Sequence, residues 1–381
     1  MIVNEQAGCI LFRYWLIANA TPKESMAISE HKDDATDREG SIHPIPTEFV
    51  SVVIPCLNEE RFIGQALRNL ADQYDPDRYE IIVVDGMSQD GTRAVIAEFC
   101  HGRPDVSVTL IDNPARRIPT ALNLGIDAAR GEIIARLDAH AVASPGYIRR
   151  SVEVLRQHGV GVVGMPCQVC AGADTPTARA IALAVSHPFG IGDAKYRLGR
   201  GGGVAQEPVD TVAFACFKKE LWRELGGFDE ALSANEDYEF NYRVRLNGKT
   251  VLLDQVEHCD YFARATLKDL SIQYWRYGRW KARMIRRHPG SIKLRQTVAP
   301  IFAASIPLLL ATGFWLRPAW WLLAVELGAY FLLALFFAFG LMRRSSGGFR
   351  LVVLLPVIFG IIHLSWGTGF LLGLVKAPKI Q

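Results

Sequence analysis

Asp138 and His140 stand two residues apart in RLDAH (136–140), directly after the apolar climb of Ile133, Ile134 and Ala135. Alternate residues of an extended strand point the same way, so a strand carried through this stretch would aim a carboxylate and an imidazole at one metal ion. Taken alone, Asp-x-His equally describes a strand that runs into a polar turn. Other carboxylates end or follow apolar runs: Asp85 closes YEIIVVD (79–85), while Asn58, Glu59 and Glu60 follow FVSVVIP (49–55) after Cys56 and Leu57. At such positions Asp85 could accept hydrogen bonds from a nucleobase imide or a ribose, and Asp138 could hold a divalent ion that neutralises a diphosphate. Farther on, Asn235, Glu236 and Asp237 open a helical tract that continues to about Leu246, where acids also serve simple capping.

Several other chemistries lack their residues. No G-x-G-x-x-G follows the first strand, and carboxylates stand where a dinucleotide fold would place glycines. GRGGGVAQEPVDT (199–211) lacks the Lys-Ser/Thr of a phosphate-binding loop and reads as a mobile loop near an acceptor. Cys167 and Cys170 form a lone C-x-x-C without the second pair that structural zinc needs. The seven cysteines are scattered and odd in number, which suits reduced thiols in a cytosolic compartment.

The elements that must hold these residues follow from periodicity. The runs 49–55, 79–85, 106–112 and 132–138 read as short apolar strands, each followed by an amphipathic helical pattern. The helix after the fourth begins at SPGYIRRSVEVLRQH (144–158), with Ser144 as N-cap and Pro145 in the first turn. Such alternation predicts an α/β fold, a mostly parallel sheet with helices on both faces and ligands at the carboxyl ends of its strands.

The second half of the chain points to a membrane. Eight Lys and Arg residues lie between Arg276 and Arg295 with no acid among them, immediately before three apolar segments, 298–316, 319–342 and 351–375. Each is near the ~20 residues that a spanning helix needs, so the basic run marks the cytoplasmic membrane face and not a nucleic-acid site. Arg317-Pro318 makes a tight turn, and Arg343, Arg344 and Arg350 stay inside; three spans then place Lys376 and Lys379 outside, the one exception among the basic flanks. Glu326 and His363 sit within the spans, as an interhelical pair or a functional one. At the other end, 8–20 is apolar but too short to span, and 21–48 is charged and polar, so 1–48 reads as disordered linker or, with a true start at Met26, a mis-annotated extension.

The motifs SVVIPCLNEE, VVDGMSQDGT, RIPTALNLGIDAARGEIIARLDAH and GGFDEALSANEDYEF together resemble those of the inverting family 2 glycosyltransferases, which have the GT-A fold. RLDAH, VDTVAFACF and QYWRYGRWKARM are similar to the succinoglycan-biosynthesis ExoA-like branch of that family. The resemblance implies a catalytic domain over 49–270, a basic amphipathic interfacial segment over 271–297 and a membrane domain over 298–381. It implies a UDP-sugar donor held by Pro55, Asn58, Glu59, Asp85, Asn123 and Asp138, with Asp85 on the uracil, and Asp237 as the catalytic base. Asp138 matches the metal acid of an Asp-x-Asp motif whose second Asp is His140 here; imidazole favours Mn2+ over Mg2+. Glu236, Arg279 and Trp280 are expected at the acceptor or the diphosphate, although Arg276 replaces the Gln of the Q-x-x-R-W element. The implied function is transfer of a hexose, glucose from UDP-glucose, to a polyprenyl-diphosphate-linked saccharide in exopolysaccharide assembly. The expected location is the bacterial inner membrane, with membrane lipid and other assembly proteins as partners. A processive polysaccharide synthase and a non-catalytic membrane scaffold or sugar-nucleotide sensor stay open as alternatives.

Overall fold

The computed structural model describes residues 48–198, 205–345 and 348–376. All but the last residue of the expected linker over 1–48, the glycine-rich stretch 199–204 and Lys379 lie outside them. The four apolar runs form β1 (Val50–Cys56), β2 (Tyr79–Asp85), β3 (Val108–Asp112) and β4 (Ile133–Arg136), all parallel in the order β3-β2-β1-β4. Helices α1 (Ile63–Leu70), α2 (Thr92–Gly102) and α3 (Ile118–Ala128) make the crossovers. Both faces of β1, β2 and β4 are covered, which is why these strands read as apolar runs, whereas β3 at the sheet edge is partly exposed. Val50, Val52 and Ile54 enter the core on one face and Val53 that on the other; Ile81 and Val83 part from Ile82 and Val84 in the same way. Gly125 of α3 lies directly on Val53 and Val84, where a Cβ has no room.

Seven further strands follow: β5 (Ala141–Ala143), β6 (Val160–Gly164), β7 (Cys167–Cys170), β8 (Gln206–Pro208), β9 (Cys216–Lys218), β10 (Thr250–Asp254) and β11 (Cys259–Phe262). β9, β6, β10 and β8 extend the main sheet beyond β4, with β9 antiparallel to both neighbours, while β5, β11 and β7 form a second small sheet. Between them lie α4 (Tyr147–Leu155), α5 (Pro176–Ala184), α6 (Pro188–Ile191), α7 (Lys219–Glu224) and α8 (Glu236–Leu246). Two local expectations are corrected. The fourth strand stops at Arg136, because β9 pairs with it only as far as Ala135; the chain then turns, with Ala141 N–H donating to Asp138 O at 3.0 Å. Ser144 is not an N-cap: its hydroxyl accepts from His258 N–H at 3.0 Å and the helix begins at Tyr147.

The membrane part starts with α9 (Leu267–Arg287), capped by Thr266 Oγ1, which accepts from Asp269 N–H at 3.1 Å. Then come α10 (Arg295–Gly313), α11 (Pro318–Arg344) and α12 (Arg350–Val375), each long and apolar enough to cross a membrane. α10 and α11 form a hairpin closed at its tip by Trp320 Nε1–H donating to Gly313 O at 2.9 Å. Phe314, Trp315 and Trp321 there are 79%, 81% and 76% exposed, a bare aromatic surface suited to lipid.

Candidate active site

The end of β4 and the start of α8 meet through Arg136. One guanidinium nitrogen donates to Asp138 Oδ1 at 3.3 Å and to Glu236 Oε1 at 3.0 Å, so acids about a hundred positions apart share one buried cation. Burial works to lower the Arg136 pKa, but the charges of Asp138, Glu236 and Asp237 outweigh it and hold the arginine charged. Glu236 is also buried; desolvation pushes its carboxyl up, the Arg136 cation pulls it back, and the net shift is upward. Glu236 is therefore engaged by Arg136 while still opening α8. Asn235 adopts the left-handed conformation (φ 62°), and its side chain donates to Tyr277 O at 3.2 Å, fixing the start of α8 against α9. Asp237, next in the chain, is only partly buried; its Oδ1 accepts from Tyr238 N–H at 2.7 Å.

Asp138 and His140 leave the β4–β5 turn into the same cavity as Glu236 and Asp237. Glu59 Oε1 lies 3.0 Å from His140 Nδ1, the carboxylate–imidazole pairing that orients a metal-ligating histidine. Burial pulls the His140 pKa down, but the Glu59 hydrogen bond and the Asp138 charge offset it and hold the imidazole above its ordinary range. Among the described residues no group of three or more His, Cys, Asp and Glu gathers as a metal cage. A carboxylate and an imidazole on a cavity wall nevertheless fit a divalent ion whose remaining ligands come from a diphosphate.

The other expected donor residues, Pro55, Asn58, Asp85 and Asn123, do not line this cavity. Asp85 is fully buried: Ser88 Oγ and N–H donate at 2.5 and 3.1 Å, and Arg93 Nε at 2.7 Å. Burial works to raise its carboxyl, yet these bonds hold it below the usual carboxylate range. Pro55 closes on the same strand ends. Asn58, at φ 56°, accepts from Gln89 N–H at 2.9 Å, and its own N–H donates to Ser88 Oγ at 2.8 Å, so the β1 and β2 ends form one knit loop pair. Asn123 faces elsewhere: its amide donates to Phe228 O and Glu230 Oε1 and accepts from Phe228 N–H and Trp222 Nε1–H, which holds the 226–230 loop.

The cavity has a volume of about 1090 Å3 and continues from these acids to Phe302, Glu326, Tyr330 and His363 of the membrane helices. Ser305 Oγ donates to Glu326 Oε1 at 2.7 Å. His363 Nε2 lies 2.7 Å from Phe189 O, so that nitrogen carries the hydrogen and Nδ1 accepts from the Tyr330 hydroxyl at 2.8 Å. Both membrane ionisable residues are thus held by interhelical or interdomain bonds while lining the cavity. Expected acceptor residues Arg279 and Trp280 do not line it. Trp280 is buried with Leu232, Tyr238 and Met284, and Arg279 lies over the Trp275 ring at 4.6 Å. One turn earlier, Gln273, Arg276 and Tyr277 line the wall instead.

Two cavity residues went unassigned in the sequence. Arg136 adjoins Asp138 within RLDAH and shares its alternation, a signal present but not used. Arg197 carries no pattern signal. Its guanidinium lies over the rings of Tyr196 and Tyr261 at 5.5 and 5.1 Å, and no carboxylate pairs with it among the described residues; its Nε is buried without a partner.

A parallel α/β sheet with acids gathered beyond its strand ends, continuous with a membrane domain, defines a membrane-attached glycosyltransferase of GT-A type. The chain belongs to glycosyl transferase family 2, whose sequence pattern matches residues 51–225. It is 30% identical to the succinoglycan biosynthesis protein ExoA of Rhizobium meliloti (strain 1021) over 323 residues, 84% of this chain and 93% of that one. It is 24% identical, over 86% of this chain and 98% of the other, to the dolichyl N-acetyl-alpha-D-glucosaminyl phosphate 3-beta-D-2,3-diacetamido-2,3-dideoxy-beta-D-glucuronosyltransferase of Methanococcus voltae. Among solved structures, the mannosyltransferase PcManGT of Pyrobaculum calidifontis, in complex with GDP-Man and Mn2+, matches with a TM-score of 0.53 over 94% of each chain at 21% identity, a likeness of fold.

Proposed function

We propose that the protein transfers a hexose, glucose from UDP-glucose, onto a polyprenyl-diphosphate-linked saccharide at the cytoplasmic face of a bacterial inner membrane, as a step in assembling a succinoglycan-like exopolysaccharide. The observation that carries this reading is the single cavity that joins Asp138 and Asp237 to the membrane helices. A water-soluble donor can enter at the sheet end while a lipid tail leaves through the apolar end. The likeness to ExoA along most of both chains supports the pathway, and the name of the M. voltae relative, which cites a dolichyl sugar phosphate, supports a lipid-linked acceptor.

Asp237 accepts the proton of the acceptor hydroxyl as its oxygen attacks the anomeric carbon opposite the departing nucleotide diphosphate. One C–O bond forms as another breaks, so the configuration inverts and no enzyme nucleophile is needed. A divalent ion held by Asp138 and His140, Mn2+ or Mg2+, would steady the charge of the leaving diphosphate. Arg136 keeps Asp138 and Glu236 in place around that event. Arg197, a cation without a carboxylate partner among the described residues, receives a phosphate of the lipid acceptor; guanidinium geometry suits two-point contact with phosphate oxygens. Arg197→Gln should therefore raise the acceptor KM by about ten- to a hundredfold, the worth of one charged hydrogen-bonded contact, and leave the donor KM in place. A donor KM that rises equally would move Arg197 out of the acceptor site.

Membranes incubated with labelled UDP-sugars and Mn2+, followed by mass analysis of extracted lipid-linked saccharides, test the whole reading. One added hexose per acceptor is expected, with transfer lost in excess chelator and restored by Mn2+ at least as well as by Mg2+. Consumption of GDP-sugars alone, full activity in chelator, or a long polymer as product would overturn it.

A further inference from the structure

Hydropathy counts three spans, but only two of the helices behave like spans. We infer that α12 does not cross the bilayer: it lies at the membrane surface, clamped to the catalytic domain, and the chain crosses twice through the α10–α11 hairpin. Both chain ends of the membrane part then face the side that holds the catalytic domain.

The first ground is that α12 touches the catalytic domain along its whole length. At its start, Leu351 and Leu355 share a core with Ala180, Ile181 and Ala184 of α5. At its middle, the Phe359 ring meets Phe189 of α6 edge-on at 4.9 Å, and His363 donates to the Phe189 carbonyl. At its end, Arg286 of α9 donates to Leu374 O. The residues that follow Arg286 are themselves bound to the sheet domain, Arg287 to Asp229 and His288 Nε2 to Glu239 at 3.0 Å. A crossing helix must separate its two ends by about 30 Å of hydrocarbon. Here one folded body holds both ends.

The second ground is the partner along the last half of α12. Ser271 and Ser365 hydroxyls meet at 2.9 Å, Gly369 packs on the Trp275 backbone, and Gly373 packs on Arg279. These pairs advance four residues at a time on both helices, so α9 and α12 run side by side and parallel. α9 carries Arg276, Arg279, Arg283, Arg286 and Arg287, a charge density that the hydrocarbon core does not tolerate. α12 shares its depth.

Contacts with the hairpin agree. Gly367 packs on Ala299 and Ala303, in the first half of α10, and α10 runs ten residues past Ala303, about 15 Å, to reach its tip. The remaining face of α12 exposes Val353, Val357, Leu364, Leu372 and Val375, one stripe at helical spacing that a bilayer surface would cover. In its most apolar stretch α12 is 44% buried in protein, against 17% for each hairpin helix. Two crossings also bring Lys376 to the side of Arg343, Arg344 and Arg350, and leave Arg317 at the hairpin tip as the one basic flank outside among the described residues.

The full-length chain can be fused at its C-terminus, in parallel, to green fluorescent protein, which fluoresces only in the cytoplasm, and to alkaline phosphatase, which works only outside. A fluorescent first fusion and an inactive second are expected; the reverse pair overturns the inference. Within the unfused chain, Trp315→Cys at the hairpin tip should react with a membrane-impermeant maleimide in intact cells, and Val375→Cys only after permeabilisation. Reaction of Val375→Cys in intact cells, or reaction of Trp315→Cys only after permeabilisation, also overturns it. None of these readouts depends on sugar transfer, so they stand apart from the proposed function.

Discussion

Asp237→Asn should lower the rate of sugar transfer by about a hundred- to ten-thousandfold while leaving donor binding intact, the range expected when a positioned general base is removed. Asparagine keeps the shape of the side chain and an oxygen for the Tyr238 N–H bond, so the start of α8 need not move. It cannot take the acceptor proton. The neighbouring carboxylate does not substitute, because Glu236 is buried and bound to Arg136 at 3.0 Å, with its carboxyl pushed up by desolvation. Turnover at saturating donor, set beside a thermal shift with the nucleotide sugar, separates the two effects. A variant that still turns over within tenfold of the parent, or that complements a deletion strain, would favour a non-catalytic scaffold instead.

The parts of this site that could be read from the sequence are those that follow strand ends. β1, β2 and β4 are buried on both faces, so apolar residues run almost unbroken through them and stop where polar loops begin, while β3 is the half-exposed edge strand. Asp85 could be placed for that reason, and Asp138 to within two residues, since β4 ends at Arg136 and not at Asp138. The three-residue strands β5, β8 and β9 are too short to show a period, so the mixed half of the sheet stayed hidden until its partners were seen. Arg197 stayed hidden as well, because Tyr261 of β11 and Tyr274 and Tyr277 of α9 come to it from far along the chain. Helix α9 was legible as amphipathic, but which of its turns meets the cavity depends on where α8 and α12 hold it, and that set Arg276 and Tyr277 on the wall where Arg279 and Trp280 were expected. α12 shows the general limit: Leu, Ile and Val are equally content against protein or lipid, so hydropathy measures length and greasiness, not what lies alongside.

Arg136→Met should be the most damaging single change to the fold of the site, costing about 3–5 kcal/mol, as when one partner of a buried ion pair is removed. One guanidinium nitrogen serves both Asp138 and Glu236, so its loss strands a buried carboxylate at Glu236 and frees the Asp138 side chain beside it. Glu236, already raised by burial, then loses the cation that pulls it back and takes up a proton, at the cost of the local charge pattern. The double variant Arg136→Met, Glu236→Gln removes the stranded charge and should recover much of the lost thermal stability in detergent, since an apolar replacement for a buried pair is often nearly neutral. It should not recover transfer. Arg136 Nε and its second terminal nitrogen are buried without a partner among the described residues, donors left over after both acids are served, and Arg136 lines the cavity in which the proposed donor diphosphate would sit. The double variant should therefore stay stable with a raised donor KM; a double variant no more stable than Arg136→Met alone would show that the cost lies in packing and not in the stranded acid.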